Sequence, residues 1–298
     1  MKTVSVVVAT YKREGELKNA LESLAGQTYE ALQIVLVDDN GQAEWNQKVA
    51  GIVAEFSQRF PEVDLKYIVN NPNQGSAKTR NIGIEAAEGE YITFLDDDDV
   101  YLPEKVARQV AFMEENGCAY SVTDLELFDE KDRLTDRRVR SYIRETTKEA
   151  LQSYHLLHHI TGTDTMMFRK EYLQKIGGFA PIDVGDEYYL MQRAIEGGGK
   201  FGYLPDCQIK AYVHTGEGGL SSGESKIKGE NALYAYKKQY FAGISAKDRR
   251  YIRMRHYAVL AFAYLRTKKF VHFFINGIYS FLSSPKSCIL LLLTKKSI

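Results

Sequence analysis

Four aspartates stand together at Asp96–Asp99, directly after the apolar run "EYITFL" and just ahead of Pro103. Carboxylates this close repel one another, and a hard divalent cation relieves the repulsion because it takes oxygen ligands. Mg2+ or Mn2+ is typically held by one or two carboxylates plus substrate phosphates, and a short acidic turn open on one side suits that habit. Two more acidic pairs occur: Asp38–Asp39 after "LQIVLV", and Asp186–Glu187 ahead of "YYLMQR". Lys78 and Arg80, in "GSAKTRN", supply positive charge. Transfer of a group from a nucleoside diphosphate needs such charges, because negative charge grows on the diphosphate as the bond breaks. Each feature alone has a plain alternative: an acidic turn in water, or acids biased to a helix N-terminus.

These residues need a scaffold that brings loop tips together. "VSVVVAT" predicts a strand ending at Thr10, and "EGELKNALESLAGQ" sets Leu17, Leu21 and Leu24 at helical spacing before a stop at Gly26. "LQIVLVDD", "VDLKYIV", "EYITFL" and "CAYSVTDLELF" predict four more strands. Helices fall between them over "AEWNQKVAGIVAEFSQRF", "GSAKTRNIGIEAAEG" and "PEKVARQVAFMEENG". This alternation implies βαβ units, a largely parallel sheet, and an α/β fold. Ligands in such sheets bind at the carboxyl ends of the strands. The first four strands end at Thr10, Asp38–Asp39, Asn70–Asn71 and Asp96–Asp99, so polar groups converge there.

Further on, "GTDTMMFRKEYLQKIGGF" reads as a strand and a short helix, and "VGDEYYLMQRAIEGG" as a helix. "KFGYLP" and "QIKAYVHT" read as two strands, and residues 224–284 as mostly helical. The stretch from Asp129 to Glu149, with Arg133, Arg137, Arg138, Arg140 and Arg144, reads as a mobile surface loop. "GGGKFG" (Gly197–Gly202) has the spacing of a dinucleotide loop, but a helix precedes it and a strand follows, the reverse of what that loop requires. "HLLHH" (His155, His158, His159) has helical spacing and no carboxylate or cysteine beside it, which favours a helix face over zinc.

The 298 residues are 44% hydrophobic and 26% charged, an ordinary globular composition. Lys plus Arg equals Asp plus Glu at 39 each, so total charge points to no nucleic-acid partner. Cys118, Cys207 and Cys288 lie far apart without a CxxC spacing, which fits a reducing cytoplasm and no disulfide framework. The apolar N-terminal run lacks the length and cleavage site of a signal peptide. Residues 257–293 are rich in apolar and aromatic side chains, yet no run reaches the ~20 residues of a membrane span. Lys286, Lys295 and Lys296 flank the last apolar block, which suits a segment in the membrane interface. Helices packed on the main domain, or an oligomer contact, are the alternatives.

Taken in order, "VSVVVATYKREGELKNALESLAGQTY", "IVLVDDN" and "NNPNQGSAKTRNIGIEAAEGEYITFLDDDDVYLP" resemble the opening strand and helix, the acidic second strand, and the asparagine-glycine-arginine stretch with D-x-D motif of family 2 glycosyltransferases. The likeness covers about residues 1–125 strongly and 160–222 more weakly. It implies a GT-A fold, with a Rossmann-like, mostly parallel central sheet flanked by helices. Residues 1–222 would form that domain, with a nucleotide-sugar half (1–125) and an acceptor half (126–222). Residues 223–298 would be a helical extension.

The resemblance assigns Thr10 and Tyr11 to the nucleotide pocket, and Asp39, beside Asp38, to the nucleobase. It places Arg80 in the donor pocket with Lys78 nearby, and makes Asp98 the metal ligand. Asp96, the other member of the D-x-D pair, is a second candidate for the metal, and it stands with Asp97 toward ribose or sugar. Asp99 is left to structure, for example as a helix cap. His214, in "YVHTGEGGLSS", would approach the metal or diphosphate. "GDEYYLMQR" resembles the family's acidic pair before a helix, with the order of the acids reversed. Glu187 holds the position of the base and Asp186 has the usual chemistry, so both stay candidates.

The implied activity is inverting transfer, dependent on Mn2+ or Mg2+, from a nucleotide sugar, UDP-linked for preference. The hydroxyl acceptor would be a cell-surface glycan or a lipid-linked saccharide, met at the inner face of the cytoplasmic membrane. A nucleotidyltransferase or sugar-nucleotide pyrophosphorylase is the enzyme alternative, although "VVATYKREGEL" lacks its Gly-rich basic signature. A catalytically inactive nucleotide-sugar-binding module is the other.

Overall fold

The β-branched run at the start forms β1 (Val4–Thr10), and "LQIVLVD" forms β2 (Leu32–Asp38) beside it. Both are buried along nearly their whole length, as expected of strands covered on both faces. β3 (Asp64–Val69) pairs with the far side of β2, and β4 (Tyr91–Asp96) with the other side of β1, all parallel. The helices between them are α1 (Gly15–Ala25), α2 (Ala43–Arg59) and α3 (Ser76–Ala86). Order therefore reverses at β1, and the crevice beyond Thr10 and Asp96 lies at the switch point where α/β sheets take ligands. A methyl group at Gly83 would run into Val7, so glycine there lets α3 sit close on β1.

The sheet continues through shorter strands. β5 (Val100–Tyr101) follows the acidic turn, and α4 (Lys105–Asn116) ends at Gly117 in the left-handed conformation. β6 (Tyr120–Phe128), β7 (Leu134–Arg138), α5 (Lys148–His158), β8 (Met166–Arg169), α6 (Lys170–Lys175), α7 (Asp186–Gly197) and β9 (Phe201–Tyr212) complete this part. The strand order is β3-β2-β1-β4-β8-β6-β9-β5, with β7 on β6. β8 runs antiparallel to β4 and β6, which makes the sheet mixed in its second half.

The computed structural model describes residues 1–182, 184–213 and 223–293. The chain divides into two units. One holds Met1–Leu151, Ile160–Ile182 and the stretch from Asp186 through β9. The other holds Gln152–His159 and the C-terminal helices α8 (Gly223–Lys237), α9 (Ala246–Arg266), α10 (Phe270–Ser283) and α11 (Pro285–Leu293). In the second unit Ser245 caps α9 by accepting from the Asp248 N–H at 3.1 Å. His256 stacks on Tyr234 at 4.0 Å and meets Glu230 at 3.0 Å. No described helix is long and apolar enough to cross a membrane.

Three expectations need correction. The arginine-rich stretch contains β7, and Arg140 is buried, donating to the carbonyls of Thr123 and Thr161 beside Asp124. Its charge is neutralised inside the fold, which composition cannot reveal. The two strands expected over 200–205 and 208–215 are, among the described residues, one strand, β9. Pro205 and Asp206 fall at a register shift where the pairing steps from Leu204 to Cys207, so the proline that looks like a break is accommodated by an irregularity. Asp99 does not cap α4, which begins after Glu104; it accepts the Tyr212 N–H at 2.8 Å and fastens β9.

Candidate active site

The site is built from strand ends outward. α3 puts Ser76 and Arg80 on one face, four residues apart, and that face turns toward the end of β4. Arg80 donates through Nη2 to Asp96 Oδ1 and through Nη1 to Asp186 Oδ2, both at 2.7 Å. Its guanidinium lies 5.5 Å from the Phe179 ring centre. Ser76 Oγ also reaches Asp186 Oδ2, at 3.3 Å. One arginine thus ties the end of β4 to the first residue of α7. Burial alone would lower the Arg80 guanidinium; Asp96 and Asp186 outweigh it and hold it firmly charged.

Glu187 follows Asp186, and its own N–H donates to Asp186 Oδ1 at 2.9 Å. Burial, and then the Asp186 carboxylate, push the Glu187 carboxyl up to about 8, with Arg80 pulling the other way. This is the environment of a general base poised near neutral pH.

The acidic turn is held in pieces. Asp96, Asp99 and Asp164 bring one oxygen each within 4.8 Å of one another. The Asp96 N–H donates to Asp164 Oδ1 at 2.7 Å. Burial, then Asp96, raises the Asp164 carboxyl to about 7, and burial, then Asp164, raises Asp99 as well. Asp97 is raised to about 7 by burial and by Asp98, although it accepts the Tyr11 N–H at 3.1 Å. Asp98 Oδ2 accepts from Arg13 Nη2 at 2.7 Å, and Arg13 Nε stands 3.8 Å from Asp97. The close oxygens of Asp96, Asp99 and Asp164 form a hard donor set that a divalent cation fits.

The remaining candidates divide into lining and support. Tyr11 is half exposed beside Asp97, and Thr10 is buried at the end of β1. Asp38 accepts from Asn40, Asn46 and Tyr67, which binds the loop after β2 to β3 and α2. Asp39 accepts from Asn70 Nδ2 and the Gln74 N–H on one oxygen, and from the Gly75 N–H at 2.9 Å on the other, so it shapes the loop that leads into α3. Lys78 is exposed and donates to Gln74 instead of facing Asp96. Two residues from Arg80 on a helix, it points to a different face. His214 lies outside the described residues.

Three residues were not singled out as site candidates. Asp164 sits in a short 3-10 turn, Thr163–Thr165, before β8; a lone acid between threonines gave no motif. Arg13 is visible in "TYKRE", two residues past Tyr11, as a cation at a strand end. Arg138, at the end of β7, has a charge that senses Glu187 and Asp99. Elsewhere, Gly197–Gly202 joins α7 to β9, helix before strand as read, and His155, His158 and His159 lie at the end of α5, where His159 Nε2 is 2.5 Å from Lys237 Nζ.

Residues 5–177 match the family described as Glycosyl transferase family 2. An uncharacterized glycosyltransferase of Haemophilus influenzae is 30% identical over 180 residues, which cover 59% of this chain and 56% of that one. A putative teichuronic acid biosynthesis glycosyltransferase, TuaG, of Bacillus subtilis is 26% identical over 168 residues, 56% of this chain and 62% of that one. The aligned stretch thus spans little more than half the length of either relative. Among solved structures, S. aureus TarS 1-349 in complex with UDP-GlcNAc has a TM-score of 0.61 at 18% identity, over 94% of this chain and 91% of that chain. The mannosyltransferase PcManGT of Pyrobaculum calidifontis, in complex with GDP-Man and Mn2+, has a TM-score of 0.56 at 16% identity, over 100% and 76%. These likenesses give the fold, the GT-A arrangement expected from the resemblance.

Proposed function

The chain belongs to glycosyl transferase family 2, and from that premise we propose that it moves a sugar, with inversion, from a nucleoside-diphosphate sugar to a hydroxyl of an acceptor glycan. The observation that carries this reading is the Arg80 bridge, which joins the acidic turn at the end of β4 to the Asp186–Glu187 pair. A donor site and a base are thereby held on two sides of one cleft.

In this reading Glu187 takes the proton of the acceptor hydroxyl as its oxygen attacks the anomeric carbon. The bond from that carbon to the diphosphate oxygen breaks, and its electron pair leaves with the diphosphate. Asp186 keeps Arg80 in place and raises the proton affinity of Glu187, so we assign it positioning. Arg80 and Arg13 supply fixed positive charge near the diphosphate. Thr10 and Tyr11 line the nucleotide pocket. Asp39 Oδ2, which accepts from the Gly75 N–H, keeps capacity for a donor on the nucleobase. Asp96, Asp99 and Asp164, with Asp98 beside them, would hold Mn2+ or Mg2+. Such an ion supplies further counter-charge to the departing diphosphate.

The donor we favour is a UDP-sugar, supported by the TarS complex with UDP-GlcNAc. The acceptor we favour is a cell-surface glycan or a lipid-linked saccharide, supported by the likeness to the B. subtilis relative named for teichuronic acid biosynthesis. The test is a panel of nucleotide sugars with Mn2+, scored for nucleoside diphosphate release to water, which requires no acceptor. UDP release from a UDP-sugar, lost in Arg80→Met, is expected. Pyrophosphate release from a nucleoside triphosphate, or no turnover of any nucleotide sugar, would overturn the reading.

A further inference from the structure

We propose that the helical unit α8–α11 binds the surface of an anionic lipid bilayer, with the outer face of α10 and α11 seated among the acyl chains. The inference is independent of the reaction assigned above. It starts from an inversion in α10. A helix in water turns apolar residues inward and polar ones outward. In α10 the buried residues are Asn276 and Ser280, and Ser280, 2% exposed, donates to the Met254 carbonyl of α9 at 2.9 Å. Facing outward are Val271, Phe274, Ile278 and Leu282, the last 67% exposed. Their spacing is one stripe, i, i+3, i+7 and i+11. α11 extends it with Leu290 and Leu293, again exposed.

Charge identifies the medium. No Asp, Glu, Lys or Arg occurs from Phe270 to Pro285, while Lys268 and Lys269 precede the stripe and Lys286 follows it. Residues 223–298 hold 15 Lys and Arg against three Asp and Glu, a net +12 in a chain that is neutral overall. Such asymmetry points to an anionic surface. A second copy of the chain is disfavoured as the occupant, because pairing this face with itself brings two units of the same charge together. At 14 residues, α10 is about 21 Å long. That is short of the ~30 Å hydrocarbon core, so the helix lies in the interface and does not span it.

The experiment uses the full chain, floated with vesicles of phosphatidylcholine alone or of equal parts phosphatidylcholine and phosphatidylglycerol. Binding to the anionic vesicles, falling as salt rises, is expected, with at least tenfold less on the neutral ones. Phe274→Glu with Ile278→Glu, both already exposed, should abolish it. Lys268→Gln with Lys286→Gln should weaken it about 30-fold. Circular dichroism and UDP release to water serve as checks that the variants are folded. Equal binding to both vesicle types would overturn the proposal, as would binding that persists in the glutamate variant. A dimer in solution that the glutamate variant dissociates, without vesicle binding, would assign the face to a second copy and overturn it too.

Discussion

Residues 1–222 hold 36 acidic and 24 basic side chains, whereas residues 223–298 hold three and 15. The two stretches also bury different things. The sheet keeps valines and leucines inside and gathers carboxylates at its strand ends, where Asp97, Asp99, Asp164 and Glu187 all have raised carboxyls. α10 keeps Asn276 and Ser280 inside and turns phenylalanine and leucine out. Each arrangement is costly in water alone, the first through like charge in a poorly solvated turn and the second through exposed apolar area. Each would become favourable with the ligand proposed for it: a cation with a diphosphate in one case, a lipid surface in the other. An overall charge of zero conceals both.

The sharpest way to break the comparison on the acidic side is Glu187→Gln. It should lower kcat by about a thousandfold while leaving the donor KM nearly unchanged, as expected when a general base is removed. Asp186→Asn should cost less, about tenfold, through a looser Arg80. It should also move the acidic limb of kcat/KM, expected near 8 in the parent from the raised Glu187 carboxyl, to lower pH. The sign follows from the base being active unprotonated: without the Asp186 charge, Glu187 loses its proton more readily. If Asp186→Asn is the more damaging change, the base is Asp186.

The next effect is on stability and separates two arginines of one stretch. Arg140→Ala leaves the Thr123 and Thr161 carbonyls without their buried donor and Asp124 without its counter-charge, so urea denaturation should show a loss of about 3 kcal/mol or more. Arg138→Ala, at an exposed position, should stay within about 0.5 kcal/mol in stability. It should lower turnover, because its charge reaches Glu187 and Asp99.

That contrast shows what the sequence could and could not disclose. The convergence of polar strand ends was legible because strand and helix periodicities fix which tips face the same edge of a parallel sheet. Arg80 was legible as a candidate, yet its partners lie 16 and 106 residues away, and only folding reveals that it bridges them. Asp164 was missed because its place in the acidic turn rests on the Asp96 N–H, 68 residues away, which no local pattern announces. Arg140 was misplaced because a run of charges normally marks solvent, and here one guanidinium is satisfied by carbonyls inside. The apolar C-terminal stretch was legible, but the inversion of α10 was not, since exposure depends on which side α9 covers.

A smaller effect should distinguish the two units by pH. Asp97, Asp164 and Glu187 have raised folded values, so the stability they contribute is full below about 4 and is lost as pH rises through about 7 to 8. Asp99, raised by burial and then by Asp164, acts in the same direction, and Lys105, lowered by burial, opposes it. In the helical unit the dependence is reversed. Burial, then Lys237, lowers His159, so its neutral form is favoured and stability falls as pH drops below about 6.5. Amide exchange, corrected for intrinsic rates, should find the turn after β4 better protected at pH 5.5 than at pH 8, by about tenfold, and the end of α5 less protected. Mn2+ should raise protection of the turn more at pH 8, because a cation binds the deprotonated carboxylates. A turn whose protection is the same at both pH values, with and without Mn2+, would remove the electrostatic half of the comparison.

The smallest effect tests the inverted helix from its inner side. Ser280→Ala removes a buried hydroxyl that donates to the Met254 carbonyl, and in aqueous buffer should cost about 1 kcal/mol. Phe274→Ala removes far more apolar area, and at a core position would cost about 3–5 kcal/mol. Here it should cost less than about 0.5 kcal/mol, because the ring is 63% exposed in the folded protein and gains little from folding. A serine that matters more to stability than a phenylalanine six residues away is the reverse of the usual ranking. It follows only if the outer face of α10 has no protein covering it. Should Phe274→Ala destabilise the chain by several kcal/mol in water, that face is already packed, and the pairing of an acidic site with an apolar surface loses its second member.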